Sequence, residues 1–187
     1  MPHPPANRLP SQKQKVSVAD VMNRFPRHEH ESFMRRAIAN ARRAGVIDKS
    51  GGAFGAVVVD ATGTVLGDGW NQVIARSDPT WHGEMQAIRE ACARIKSPKL
   101  DGCILYTSAA PCPMCFATSY WAQLDAIISA STVDDAKRHG NFDDSFIYAQ
   151  FTTPREDRPI AEIVEFLRDD AIEVWREYAK RTDAVEY

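Results

Sequence analysis

Cys103-Ile104-Leu105-Tyr106-Thr107, Pro111-Cys112-Pro113-Met114-Cys115 and Ala126-Ile127-Ile128-Ser129-Ala130 are the segments whose reading decides the fold. The outer two are short apolar runs that predict strands. Between them, Pro111 to Leu124 reads as a helix that opens on a C-x-x-C pair. Working upstream, a helix starts close to His82. Its apolar positions Met85, Ile88, Cys92 and Ile95 keep three-to-four spacing, and Ser97-Pro98 closes it. Before it, Gly55-Ala56-Val57-Val58-Val59 is a β-branched strand, and Asp60-Ala61-Thr62-Gly63 a hairpin turn into Thr64-Val65-Leu66-Gly67. Phe33, Met34, Ala37, Ile38 and Ala41 predict a first helix ending at Gly45. The order α-β-β-α-β-α-β implies an α/β domain with a mixed sheet covered by helices.

The flanks read differently. Pro2, Pro4, Pro5, Pro10 and Pro26 stand among polar residues, so residues 1–27 are expected to form a mobile tail, with order beginning near Glu29 and one domain spanning 28–187. Pro159 to about Thr182 is expected to be largely helical, with Ile163, Phe166, Leu167, Val174, Trp175 and Tyr178 as its apolar side. No internal repeat is visible.

Composition narrows the function classes. A chain of 187 residues with 44% hydrophobic and 26% charged residues suits one globular domain. A net charge of −2 supplies no global attraction for phosphates and argues against a polynucleotide substrate. No apolar run is long enough to span a bilayer, and the N-terminus lacks the apolar stretch of a secretory signal. Four cysteines are too few for a disulfide scaffold, so a reducing cytoplasm is expected.

The chemistry concentrates in His82-Gly83-Glu84 and Pro111-Cys112-Pro113-Met114-Cys115. Catalytic zinc takes three protein ligands and keeps a fourth position for water, and one imidazole with two thiolates supplies those three. Cys112 and Cys115, three apart at a helix start, project to the same side. Free N–H groups at a helix start favour thiolate over thiol. Glu84 follows His82 too closely to be a comfortable fourth ligand, but can reach a water on the metal and move its protons. Alone, the C-x-x-C is equally a redox or buried pair; joined in order to the H-x-E it matches the general signature of zinc deaminases. Cys92 and Cys103 fall on core positions.

From about Ser32 to Tyr187 the chain resembles the cytidine-deaminase-like superfamily, in particular its bacterial guanine deaminase branch. Besides the zinc segments, the resemblance is carried by Gly52-Ala53-Phe54-Gly55-Ala56-Val57, Asp78-Pro79-Thr80, Ala87-Ile88-Arg89-Glu90-Ala91-Cys92, Ile104-Leu105-Tyr106-Thr107-Ser108, Tyr120-Trp121-Ala122, Phe142-Asp143-Asp144-Ser145-Phe146-Ile147-Tyr148 and the terminal Glu186-Tyr187. It implies a three-layer α/β/α domain around a mixed five-stranded sheet, and a homodimer in which a C-terminal segment, about 153–187, is exchanged. It further implies that Asn71 hydrogen-bonds a heterocycle, Phe54 and Phe142 wall it, Asp144 guides the amino group, and Tyr187 closes the site. Read from the residues alone, Phe54 and Phe142 serve a core equally well, Asn71 a turn, and Asp143-Asp144 a solvated acidic turn.

Three features depart from the family pattern: Gly83 and Trp81 where Ala and a small residue are usual, Ala109-Ala110 where a Glu precedes Pro-Cys, and Ala53 in place of Pro. They border the expected pocket, and Trp81 is a candidate to stack on substrate. The expected reaction is zinc-dependent hydrolytic deamination of a free base, guanine to xanthine. Another amino-heterocycle of cytosine, pterin or aminotriazine type, a tRNA adenosine, and a non-enzymatic structural zinc module are the competing readings.

Overall fold

The computed structural model describes residues 15–182, which fall into two compact units, 15–144 and 145–182, each taken here by itself. The first contains α1 (Val18–Met22), α2 (Arg27–Arg42) continued by a π-turn (Arg43–Ile47), β1 (Gly55–Val59), β2 (Val65–Trp70), α3 (Val73–Arg76), α4 (Gly83–Ile95), β3 (Ile104–Thr107), α5 (Pro113–Trp121), β4 (Ala126–Ser129) and α6 (Val133–Gly140). No helix among the described residues is long and apolar enough to cross a membrane.

The strands form one sheet in the order β2-β1-β3-β4, with β1 antiparallel to both its neighbours and β3 parallel to β4. The sheet is therefore mixed, as expected, but it has four strands among the described residues, not five. After β4 the chain meets Thr132 and Asp135, which build a reciprocal capping box and start α6 in place of another strand.

Strand alternation sends successive side chains to opposite faces and makes two cores. Ala56, Val58 and Leu105 face α4, where they pack with Ala87, Ile88, Ala91 and Leu100. Val57, Val59, Ile104 and Tyr106 face the other way, against Val21, Phe25 and Ala37 with Phe33 and Met34. Helices on both faces of a sheet give the three-layer α/β/α domain. Two glycines set the spacing of the first face. A Cβ on Gly67 would collide with the Ala87 carbonyl oxygen, and one on Gly69 with that of Gly83, so α4 lies with its backbone directly on β2.

The N-terminal boundary moves. Residues 18–25, read from the sequence as part of a mobile tail, contain α1, and Val21 and Phe25 are buried in the second core. Arg24 clamps this segment down, donating to Gly102 O and Asp125 Oδ2, both at 2.7 Å. The first helix also runs through Gly45, which the sequence marked as its stop, because a Cβ there would strike Ala53: the glycine permits close approach, not termination.

The unit 145–182 holds α7 (Ser145–Gln150), one 3₁₀ turn (Arg155–Asp157) and α8 (Arg168–Ala179). The helix expected over 159–182 is thus confined to its second half. Phe151, Ile163, Phe166 and Trp175 are all more than two-thirds exposed.

Candidate active site

His82 is the N-cap of α4 and Cys112 the N-cap of α5, the latter followed by Pro113, a residue suited to a first helical turn. N-cap positions favour Ser, Thr, Asp or Asn, whose side chains bond the free N–H groups. Neither His82 nor Cys112 makes such a bond. Both helices therefore begin on residues whose side chains are kept for something else.

That something is a shared point in space. The donor atoms of His82, Cys112 and Cys115 lie within 4.8 Å of one another, with His82 Nδ1 at 3.5 Å from Cys112 Sγ and 3.6 Å from Cys115 Sγ. The electrostatics agree. The neighbouring Cys115 thiol pulls Cys112 down to about 4 despite burial, with help from His82. Cys115 moves far upward, because the Cys112 sulfur and burial both penalise its charge. Two sulfurs this close disfavour a second negative charge, and a divalent cation held between them would offset it. The cysteines are free thiols.

Glu84 sits in the first turn of α4 and is buried at 4% exposure. Burial pushes its carboxyl upward, against the pull of its own backbone N–H. Oε1 accepts from Thr107 Oγ1 at 3.2 Å, whereas Oε2 is buried with no hydrogen-bond partner among the described residues. A buried carboxylate oxygen without a donor is costly unless one arrives with a ligand. A cation held by His82, Cys112 and Cys115, bringing a water, supplies that donor. The residues present fit a zinc ion with an open position.

Around this centre the structure separates two adjacent acids. Asp143 pairs with Lys137 at 2.8 Å on the surface. Asp144 is pushed upward by burial and by the nearby Cys112, and is eased by His82, so it belongs to the electrostatics of the ligand set. Phe54 and Phe142 meet edge to face, centroids 5.0 Å apart, over Gly52, where any Cβ would strike both rings. Phe142 is 45% exposed, so the pair is not a sealed core. Ser108, Ala109, His139 and Gly140 join them around a cavity of about 320 Å³. Asn71 is buried. Its Oδ1 accepts from Val73 N, the turn role, which leaves the amide nitrogen as the group able to donate to a ligand.

Trp81, the candidate stacking residue, stands immediately before His82 in the loop entering α4. Its ring is engaged by the Arg76 guanidinium at 3.9 Å from the centroid, with Arg89 at 5.4 Å, so it braces the loop entering α4. Tyr187 lies outside the described residues. Thr107 is the residue for which sequence reading found no task. Its signal is a hydroxyl at the end of the apolar run Ile104-Leu105-Tyr106, on the face that Leu105 shares with α4.

One imidazole, two sulfurs and a carboxylate that stays off the metal can activate a single water and move its protons, which is the equipment of a mononuclear zinc hydrolase. Known proteins bear this out. Residues 27–131 match the family model described as the cytidine and deoxycytidylate deaminase zinc-binding region. The guanine deaminase of Bacillus subtilis (strain 168) is 41% identical over 156 residues, 82% of this chain and 98% of that protein. The X-ray structure of Bacillus subtilis guanine deaminase aligns with a TM-score of 0.75 at 40% identity, over 83% of this chain and 99% of that one. The guanine deaminase from Nitrosomonas europaea aligns at a TM-score of 0.56 and 30% identity, over 79% of this chain and 83% of that one. The tRNA-specific adenosine deaminase of Aquifex aeolicus (strain VF5) is 36% identical over 110 residues, 59% of this chain and 69% of that protein. The chain belongs to the cytidine and deoxycytidylate deaminase family, and its site is that of a zinc-dependent hydrolytic deaminase.

Proposed function

We propose that this chain deaminates a free guanine base to xanthine and ammonia. The observation that carries the chemistry is the three-donor cluster beside a buried Glu84 whose Oε2 has no partner among the described residues. The choice of base rests on the guanine deaminases that match most of both chains, and on a pocket edge suited to a flat ring.

His82, Cys112 and Cys115 would hold the zinc, which when bound makes a water nucleophilic near pH 7. Glu84 would take a proton from the attacking water as a C–O bond forms at the ring carbon carrying the amine. It passes the proton to the adjacent ring nitrogen, takes the second water proton and delivers it to the departing nitrogen. The C–O bond forms, the C–N bond breaks, and ammonia leaves with both protons accounted for. Phe54 and Phe142 present aromatic walls to the base, the Asn71 amide donates to its polar edge, and Asp144 orients the amino group. Tyr187 would close the site.

The partner is a second copy of the chain. Phe146, Phe151, Ile163, Phe166 and Trp175 expose apolar surface that a monomer in water has no means to offset. The exchanged segment is about 153–187. The cytoplasm is its compartment, since the two cysteine ligands must stay reduced.

Ammonia release measured across guanine, adenine, cytosine, their nucleosides, pterins and aminotriazines, with and without a chelator, tests this reading. Guanine should give the highest kcat/KM, activity should disappear on chelation, and zinc should restore it. Preference for another base or for a nucleoside refutes the choice of guanine, and full activity in the stripped protein refutes the metal chemistry.

A further inference from the structure

Thr107 closes β3 with a fully buried hydroxyl that has two partners, Ala109 O at 2.9 Å and Glu84 Oε1 at 3.2 Å. Both lie on one side of the sheet, because Thr107 shares the face of Leu105, on which α4 packs. The other carboxylate oxygen, Oε2, is equally buried and has no partner among the described residues. The two oxygens of the proton carrier are therefore not equivalent: one is tied to the sheet and one is left over.

We propose that Thr107 is a positioning residue, whose hydroxyl holds Oε1 and so assigns the proton transfers of the deamination to Oε2. This rests on Glu84 being the proton carrier. A carboxylate on a flexible side chain can turn about its last torsion, which is broad and nearly two-fold. Tethering one oxygen stops that rotation. Oε1 accepts from the hydroxyl whether the carboxyl is ionised or carries its proton on Oε2, so the tether survives each transfer. In each transfer an O–H bond forms or breaks at Oε2, and Thr107 gains and loses no proton. The backbone carbonyl of Ala109 is a second acceptor, so the one hydroxyl hydrogen is shared between it and Oε1, and Ala109 brings no side-chain carboxylate to compete further.

The experiment compares Thr107→Val, which keeps the shape and removes the hydroxyl, with Thr107→Ser, which keeps the hydroxyl. Kinetics are measured on whichever aminated base the unmodified chain turns over. A base other than guanine would thus overturn the choice of substrate without touching this comparison. The valine variant should lose about 10–100-fold in kcat, as is typical when a supporting contact to a reacting group is removed. KM should stay within about twofold, since no ground-state contact is lost. Serine should restore most of kcat. Zinc content should remain at the unmodified level in both, and a crystal structure of the valine variant should show the Glu84 carboxyl turned or divided between orientations. Valine with undiminished kcat, serine as impaired as valine, loss of zinc, or an unmoved Glu84 carboxyl overturns the proposal. Should valine fail to fold, Thr107→Ala against Thr107→Ser decides it on the same readouts.

Discussion

At the scale of single residues the site is a division of labour between groups that hold and a group that moves. His82, Cys112 and Cys115 converge within 4.8 Å, and Glu84 stands beside that set with Oε2 buried and without a hydrogen-bond partner among the described residues. Glu84→Gln keeps the bulk of the side chain but has no carboxylate to receive a proton. It should lower kcat by about 10²–10⁴-fold while binding a full complement of zinc, measured by metal analysis beside steady-state kinetics. Normal turnover in that variant would remove Glu84 from the mechanism. The four residues were legible in the sequence because each pair is local: H-x-E and C-x-x-C are spacings within one helical turn. Thr107 was not, because its contact with Glu84 joins residues 23 apart and exists only once β3 lies under α4. Trp81 was legible as unusual, but its arginine contacts were not, since those residues stand five positions before and eight after.

At the scale of elements, the glycines of β2 decide how near the proton carrier comes to the sheet. Gly69 has the Gly83 carbonyl against its α-carbon, one residue before Glu84. Gly69→Ala would lever α4 outward at its first turn. It should cost about 1–3 kcal/mol of stability, read by urea denaturation, through overpacking. It should also weaken zinc retention against a chelator, because His82 rides on the same turn. A variant as stable and as zinc-retentive as the parent would show that the helix-to-sheet distance has slack. The elements themselves were largely readable. β1, β3, β4, α4 and α5 lie where β-branched runs and helical spacing put them, β1 with its ends unchanged and the others trimmed by one to three residues. The short α1 was hidden by its surroundings: Val18, Val21 and Phe25 have a helical spacing, but prolines and lysines around them dominate the composition. The missing fifth strand has a local cause, the capping box at Thr132 that commits the chain to a helix.

At the scale of the whole molecule, the two units differ in how far they satisfy themselves. Residues 15–144 bury a core on each face of the sheet, while among the described residues 145–182 none is buried. A second chain is the proposed cover. Light scattering should report a dimer, and Phe166→Asp with Trp175→Asp should shift it toward monomer with a parallel loss of deaminase activity. A monomer that remains fully active would separate the C-terminal unit from the site. Composition could indicate that this segment was apolar along one side, but not what covers that side, since amphipathic spacing is the same for a core and for an interface.

Two helices that begin on metal ligands carry a further consequence. A redesign guided only by helix stability would place serine or aspartate at 82 and 112, and each change would look like an improvement to its own helix. Together they would yield a sturdier protein without an enzyme in it. The places where this chain declines the locally favoured residue are a map of what selection has kept it for.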